Sequence, residues 1–441
     1  MTLKTQNILG TAVIFGTLLM GASEAQAARE KFNKNNCVDH MEYLVLSLRN
    51  AGLKAPESKA VLGEAKVYDE SITSFKVDAT NAAYKNNYMP LTEGGFDWAW
   101  KTGESAKTAS ANKYFFQGGE YKTAKLLKAA DIKKNVFDVM TDAELNELSA
   151  VRKYAIAHGD YGMKALEAEM TVRGPERARV GMPAKIEGWE GSCYAMRTTG
   201  CLLPEPNKAF IVTIKDGAKQ RKIEFYPNDI KALAALVYKN SEKYVRAGDI
   251  NYSDRVDSDP VNAAVYHMFK RVFRVMKTKY KSKPYAAIFD VDPGTQLWNE
   301  GFQNFTDTVS PIQKLSAAQA KDWGTPRGAT QFVEVSDSLR LTHEASISAT
   351  NRATRDEVVA EIGLNTESYS YRLYLDDQKN IVDGHWLGKP SATERTFPDF
   401  IGWPNGKGDP AGGGNPHVDF DKVMDLLEQS TTETARTIPT R

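Results

Sequence analysis

The stretch Gly188-Trp189-Glu190-Gly191-Ser192-Cys193-Tyr194-Ala195-Met196-Arg197-Thr198-Thr199-Gly200-Cys201 decides how the rest of the chain is read. A glycine turn delivers a cysteine to the start of a run that suits a helix. At a helix N-terminus the backbone N–H groups lack intrahelical partners and the dipole end is positive, so a thiol there loses its proton more easily and an oxyanion can be held beside it. The same position also suits a structural cysteine, and three cysteines, Cys37, Cys193 and Cys201, are available. Pairing Cys37 with Cys201 leaves Cys193 as a thiol; pairing Cys193 with Cys201 makes the stretch structural. Spacing does not choose between the two.

Residues 1–27 read as a secretory signal peptide. Lys4 precedes an apolar run from Ile8 to Met20, and Ala25-Gln26-Ala27 offers a small-x-small cleavage site. An exported protein is the expectation, secreted or periplasmic, in a compartment where three thiols cannot all pair. The signal carries one positive and one negative charge, Lys4 and Glu24, so the formal net charge of +1 is unchanged by its removal. That balance argues against a nucleic-acid partner, and no later apolar run is long enough to span a membrane.

From residue 28 to about 181 the pattern is helical, expected as an N-terminal domain or prosegment. Met41 to Leu53 carries Met41, Leu44, Val45 and Leu48 at helical spacing, and Gly52 supplies a left-handed cap. Thr141-Asp142-Ala143-Glu144 is a capping box, and a further helix is expected over Tyr161 to Val172. Lys85 to Gly118 reads as irregular.

Residues 182–404 change character and form the expected catalytic domain, of α+β class with an antiparallel sheet. Ala209 to Lys215 and Arg221 to Tyr226 alternate around Asp216-Gly217 as a hairpin, followed by a helix over Pro227 to Tyr238. Asp249, Asp254, Asp257 and Asp259 crowd an acidic loop; Asp254, Asp257 and Asp259 are candidate oxygen ligands for Ca2+, although the order of ligands is not that of an EF-hand, and a solvated loop ending in a helix cap accounts for the same residues. A helix is expected from Val261 to Tyr280. Strands are expected over Tyr285 to Phe289, Gln331 to Ser336, Leu339 to Ala349, Ser368 to Leu375 and Asn380 to Leu387. Residues 405–441 read as a glycine-rich linker, whose low-complexity character begins at Trp403, then a short helix over Val418 to Glu428 and a polar tail.

A cysteine acyl-transfer site needs an imidazole, and six histidines are present. His267 lies in the helix after the acidic loop, with Asp290 and Asp292 downstream to orient it; His343 lies 150 residues after Cys193, near the separation of ~130 to 150 seen in papain-like enzymes. His385 is a third candidate, while His40, His158 and His417 read as surface residues.

The motifs resemble the transglutaminase-elicitor family of secreted oomycete and bacterial transglutaminases. Trp189-Glu190-Gly191-Ser192-Cys193 is similar to its nucleophile segment, Asp259-Pro260 and Tyr266-His267 to its Asp-Pro and Phe-His pairs, and Val291 to Phe302 to its elicitor peptide. Asp377 to Trp386, Phe397 to Phe400 and Trp403-Pro404 are similar to its closing motifs. Tyr194 stands where the family has His, and Glu300-Gly301-Phe302 replaces Gln-Pro-Val. The resemblance implies a papain/transglutaminase-like cysteine acyltransferase core, calcium dependence in some members, and a triad of Cys193, His267 and Asp290, with Tyr-His favouring His267 over His343.

The implied reaction is attack of Cys193 on a protein glutamine, loss of ammonia, and aminolysis of the thioester by a lysine to give an isopeptide cross-link. A secreted papain-like peptidase and a catalytically inactive exported binding or elicitor protein of the same fold are the alternatives.

Overall fold

The computed structural model describes residues 37–121, 125–174, 176–181, 183–239, 245–248, 261–291, 296–345, 354–387, 397–404 and 414–432. The expected signal peptide and the acidic loop with Asp254, Asp257 and Asp259 lie outside these residues. The helices are α1 (Cys37–Asn50), α2 (Ala55–Lys66), α3 (Ala129–Lys134), α4 (Asp142–Asn146), α5 (Ala150–Ala157), α6 (Lys164–Val172), α7 (Cys193–Leu202), α8 (Pro227–Tyr238), α9 (Ala263–Lys279), α10 (Ala317–Asp322), α11 (Thr354–Val359) and α12 (Phe420–Ser430). The strands are β1 (Ser74–Phe75), β2 (Phe210–Asp216), β3 (Lys219–Phe225), β4 (Val245–Gly248), β5 (Ile288–Asp290), β6 (Asn299–Val309), β7 (Gln313–Lys314), β8 (Gln331–Thr342), β9 (Leu364–Leu375), β10 (Ile381–Trp386) and β11 (Phe400–Trp403).

The main sheet is antiparallel, in the order β10-β9-β8-β6-β5-β11-β4, with β1 on β6 and β7 on β8; β2 and β3 form a separate hairpin. Its register follows the pleat. Val333, Val335, Leu339 and Leu341 of β8 are buried, and across the pair so are Tyr369, Tyr371, Leu373 and Leu375 of β9. Asp337 falls in the same inward row. It is tolerated there because Lys270 Nζ of α9 donates to it at 2.7 Å and to Asp307 of β6 at 2.6 Å, and Tyr266 Oη donates to it as well. A buried carboxylate without such partners would be strongly disfavoured.

Helix α9 starts at Asn262, whose Oδ1 accepts from Ala264 N at 2.8 Å, and it lays Val265, Phe269, Val272 and Phe273 on the sheet. Phe269 and Phe273 meet Phe302 with ring centroids 5.0 and 4.7 Å apart. The capping box at Thr141 and Glu144 forms as the sequence predicts.

Two differences from the sequence reading concern organisation. First, described residues before 181 share their hydrophobic clusters with later elements. Tyr84, Phe96, Tyr154 and Met170 pack with Ala195 of α7, Leu233 of α8 and Leu427 of α12, while Leu44 and Leu62 pack with α9 and the main sheet. Second, β6 and β11 are strands where the sequence reading assigned none, and β11 runs to Trp403, where the low-complexity stretch was expected to begin. Trp403, only 2% exposed, closes β11 between β5 and β4.

Candidate functional site

Cys193 is the first residue of α7. The loop before it is fixed by Tyr88, whose carbonyl accepts from Ser192 N at 2.6 Å. Gly191 is required by that approach: a Cβ there would lie 2.4 Å from the Tyr88 ring and 2.6 Å from its carbonyl oxygen. Ser192 is the N-cap residue, yet its hydroxyl does not cap the helix and instead accepts from Lys239 Nζ at 3.1 Å. The first N–H groups of α7 are thus left without the side-chain acceptor that a serine N-cap ordinarily provides.

The thiol is half-buried and has two polar neighbours. Its Sγ lies 3.4 Å from Leu297 O and 3.4 Å from Asn299 Nδ2. Asn299 opens β6, is 6% exposed, and its Oδ1 is buried with no hydrogen-bond partner among the described residues. Trp298, next to it, packs on Tyr88 with ring centroids 5.8 Å apart. An aromatic wall thus stands beside the nucleophile.

Asp290 is brought to this site. It pairs directly across the sheet with Asn299, is fully buried, and its Oδ1 accepts from Trp298 N at 3.0 Å. Strand alternation fixes its face. Ile288 clusters with Cys201 on the α7 side, Phe289 packs against Tyr266 and Phe269 on the α9 side, and Asp290 returns to the α7 side.

His267 is not brought there, which corrects the expected triad. It belongs to α9, on the opposite face of the sheet, and is fully buried. Its Nδ1 is 2.8 Å from Tyr371 Oη and its Nε2 accepts from Arg271 Nε at 3.2 Å, so both ring nitrogens are engaged. Burial, followed by the charges of Arg271 and Lys270, holds its pKa well below the usual imidazole range. The Tyr-His pair fills the core under α9.

His343 follows the end of β8, which pairs with β6. Its Nδ1 is 3.0 Å from Glu300 Oε1, the residue after Asn299, and this bond raises its pKa, with burial opposing. Arg197 of α7 is among the charges acting on it, and Arg197 Nη1 donates to Asn86 at 2.7 Å, whose carbonyl in turn accepts from Ala345 N. More than half of the His343 side chain is open to solvent. His385 stands exposed on β10 at the far edge of the sheet.

The cysteine alternatives narrow. Cys193 and Cys201 are not bridged, and they cannot be: they lie eight residues apart on one helix, a rise of about 12 Å, against about 7 Å for the longest bridgeable pair. Cys201 is buried against Gly301, where an added Cβ would come within 2.8 Å of its sulfur.

Sequence reasoning assigned no role to Asn299, Tyr88 or Lys239. Asn299 lies inside the elicitor-like segment Val291 to Phe302, so its strand position was the missing signal; Tyr88 and Lys239 reach the site only through the tertiary fold. Among the described residues no group of three His, Cys, Asp or Glu could hold a metal ion, and no helix is long and apolar enough to cross a membrane.

The crystal structure of the GP42 transglutaminase from Phytophthora sojae has the same fold: the two superpose with a TM-score of 0.55 at 19% identity, covering 85% of this chain and 96% of that one. No curated protein matches the chain in sequence. The model of the family described as transglutaminase elicitor matches residues 70–433, most of the chain and every element of the site described above, and the chain therefore belongs to the transglutaminase elicitor family.

Proposed function

We propose that this protein is an exported protein-glutamine gamma-glutamyltransferase that works through a thioester on Cys193. The observation that carries the reading is the geometry at the start of α7: a thiol at an N-terminus without a side-chain cap, with the Asn299 amide 3.4 Å from its sulfur. Cys193 attacks the carboxamide carbon of a protein glutamine. The developing oxyanion is met by backbone N–H groups of α7 and by Asn299, which acts as a side-chain donor.

His343, held by Glu300 and under the charge of Arg197 of α7, is the histidine we assign to the role the resemblance gave to His267. It carries the proton from the thiol to the departing ammonia, and then from the incoming lysine amine to the departing Cys193 thiolate. Asp290 orders the Trp298 backbone and thereby the wall beside the thiol. Tyr88 and Trp298 limit water, which would otherwise divert the thioester to deamidation.

Calcium enters as an arm of the test, since Asp254, Asp257 and Asp259 remain its candidate ligands; no step is assigned to it. The test is incorporation of a fluorescent primary amine into casein by the mature chain and by Cys193→Ala, with and without Ca2+. Incorporation lost in the variant supports the reading. Cleavage of casein without incorporation would identify a peptidase, and neither activity would leave an inactive binding protein.

A further inference from the structure

Under α9 one amine meets two carboxyls. Lys270 Nζ lies 2.6 Å from Asp307 Oδ1 of β6 and 2.7 Å from Asp337 Oδ2 of β8, residues that face each other across the strand pair, and all three side chains are fully buried. The rings of Phe305, Tyr266 and Tyr371, with centroids 5.0, 5.3 and 5.4 Å from the amine, wall it in. The two carboxyls are not equivalent. Asp337 accepts from Tyr266 Oη and, at 3.1 Å, from Tyr369 N as well as from the amine. Asp307 Oδ2 is buried with no hydrogen-bond partner among the described residues. The donors around Asp337 are those a carboxylate needs, whereas a bare oxygen in a dry core favours an unionised carboxyl at Asp307. Burial first raises the pKa of Asp307, against the pull of Lys270.

We propose that Lys270 and Asp307 condense to an intramolecular isopeptide bond, with Asp337 as the proton acceptor. The Lys270 ammonium gives one proton to the Asp337 carboxylate, and the free amine attacks Cγ of the protonated Asp307. The Nζ–Cγ bond forms and a Cγ–O bond breaks. Of the three ammonium protons, one stays on the amide nitrogen, one leaves with the Asp307 hydroxyl as water, and one remains on Asp337. A buried cation and a buried carboxylate are thereby replaced by a neutral amide and a neutral acid, which removes the cost of holding two charges out of water. The bond adds to whatever the charges alone contribute, because it ties α9 to β6 and closes a loop of the unfolded chain. Lys153 of α5 is the contrasting case. It is buried 2.7 Å from Asp229, but both oxygens of that carboxylate also accept from other donors, Trp100 Nε1 and Tyr226 N, and no second carboxylate pairs with the amine among the described residues.

The test is mass spectrometry of the mature chain, purified folded and then denatured, reduced and alkylated. The intact chain should be lighter than its sequence by one water. Trypsin should fail to cut after Lys270 and should leave its peptide joined to the one carrying Asp307, while Lys153 is cut and unmodified. Asp307→Asn should form the same bond with loss of ammonia in place of water, which a purely structural ion pair does not predict. Asp337→Asn should have the full mass and two separate peptides. Cys193→Ala should keep the bond, since no acyl-enzyme takes part; a bond lost in that variant would be the product of intermolecular or self-directed transglutamination and would overturn the proposal. A native chain of full mass that trypsin cuts after Lys270 overturns it as well, whether or not the variants fold.

Discussion

Replacing Lys270 by methionine tests the frame on which the site is built. Lys270 Nζ is 2.6 Å from Asp307 and 2.7 Å from Asp337, and all three side chains are fully buried. Burial already pushes the Asp307 carboxyl above its ordinary pKa, with Lys270 pulling it back. Lys270→Met removes the cation and strands two neighbouring carboxylates in a dry core. Losing one partner of a buried ion pair costs roughly 3–5 kcal/mol, and here one cation serves two anions, so about 4–5 kcal/mol is expected. That is a large share of the roughly 5–15 kcal/mol by which a domain is stable.

The loss also has a pH sign. In the variant the Asp307 carboxyl, already raised by burial and now without the cation that lowers it, binds a proton more readily folded than unfolded, so stability falls as pH rises from the unfolded carboxylate range up through its raised folded-state pKa. The deficit should therefore be smaller near pH 5 than near pH 8, and adding Asp307→Asn and Asp337→Asn should recover much of it. Urea unfolding at the two pH values measures both effects. A deficit below about 1 kcal/mol, or one that grows on acidification, would refute the reasoning.

Asn299→Ala should lower amine incorporation by about 10²- to 10³-fold, the cost of removing one oxyanion donor, with little change in the urea midpoint; an unchanged turnover number removes Asn299 from the site. His343→Gln should abolish most of the activity, whereas His267→Gln should mainly lower the melting temperature through its buried partners Tyr371 and Arg271; the reverse pattern restores His267 as the base. Gly191→Ala should displace the Tyr88 backbone and lower both activity and stability, because its methyl would lie inside contact distance of two Tyr88 atoms; native-like values for both would show that the loop yields freely.

The local rules read correctly from sequence are those in which a residue acts on its near neighbours. The Thr141 capping box, the 210–225 hairpin, the helix after Pro227 and the helical start at Cys193 all follow from spacing and turn chemistry. Strand β6 was hidden because Asn299, Glu300, Gln303, Asn304 and Asp307 are polar and yet buried, each with at least one polar atom engaged by a partner far away in sequence. The strands expected over Gln331 to Ser336 and from Leu339 onward are one strand, Gln331–Thr342, since Asp337, which looks like a break, is paired with Lys270. His267 and Asp290 were joined by motif order, but a one-residue alternation in a strand decides which face a side chain serves. Ile288 and Phe289 show that alternation in their opposite surroundings.

The thioester itself is the most direct test. The mature chain, incubated with a glutamine peptide and no amine, then quenched in acid, should gain the mass of the peptide less ammonia, located at Cys193 and absent from Cys193→Ala. A full-length chain that gains no such mass, or that carries it on another residue, would contradict the assignment of Cys193 as the acyl-transfer nucleophile.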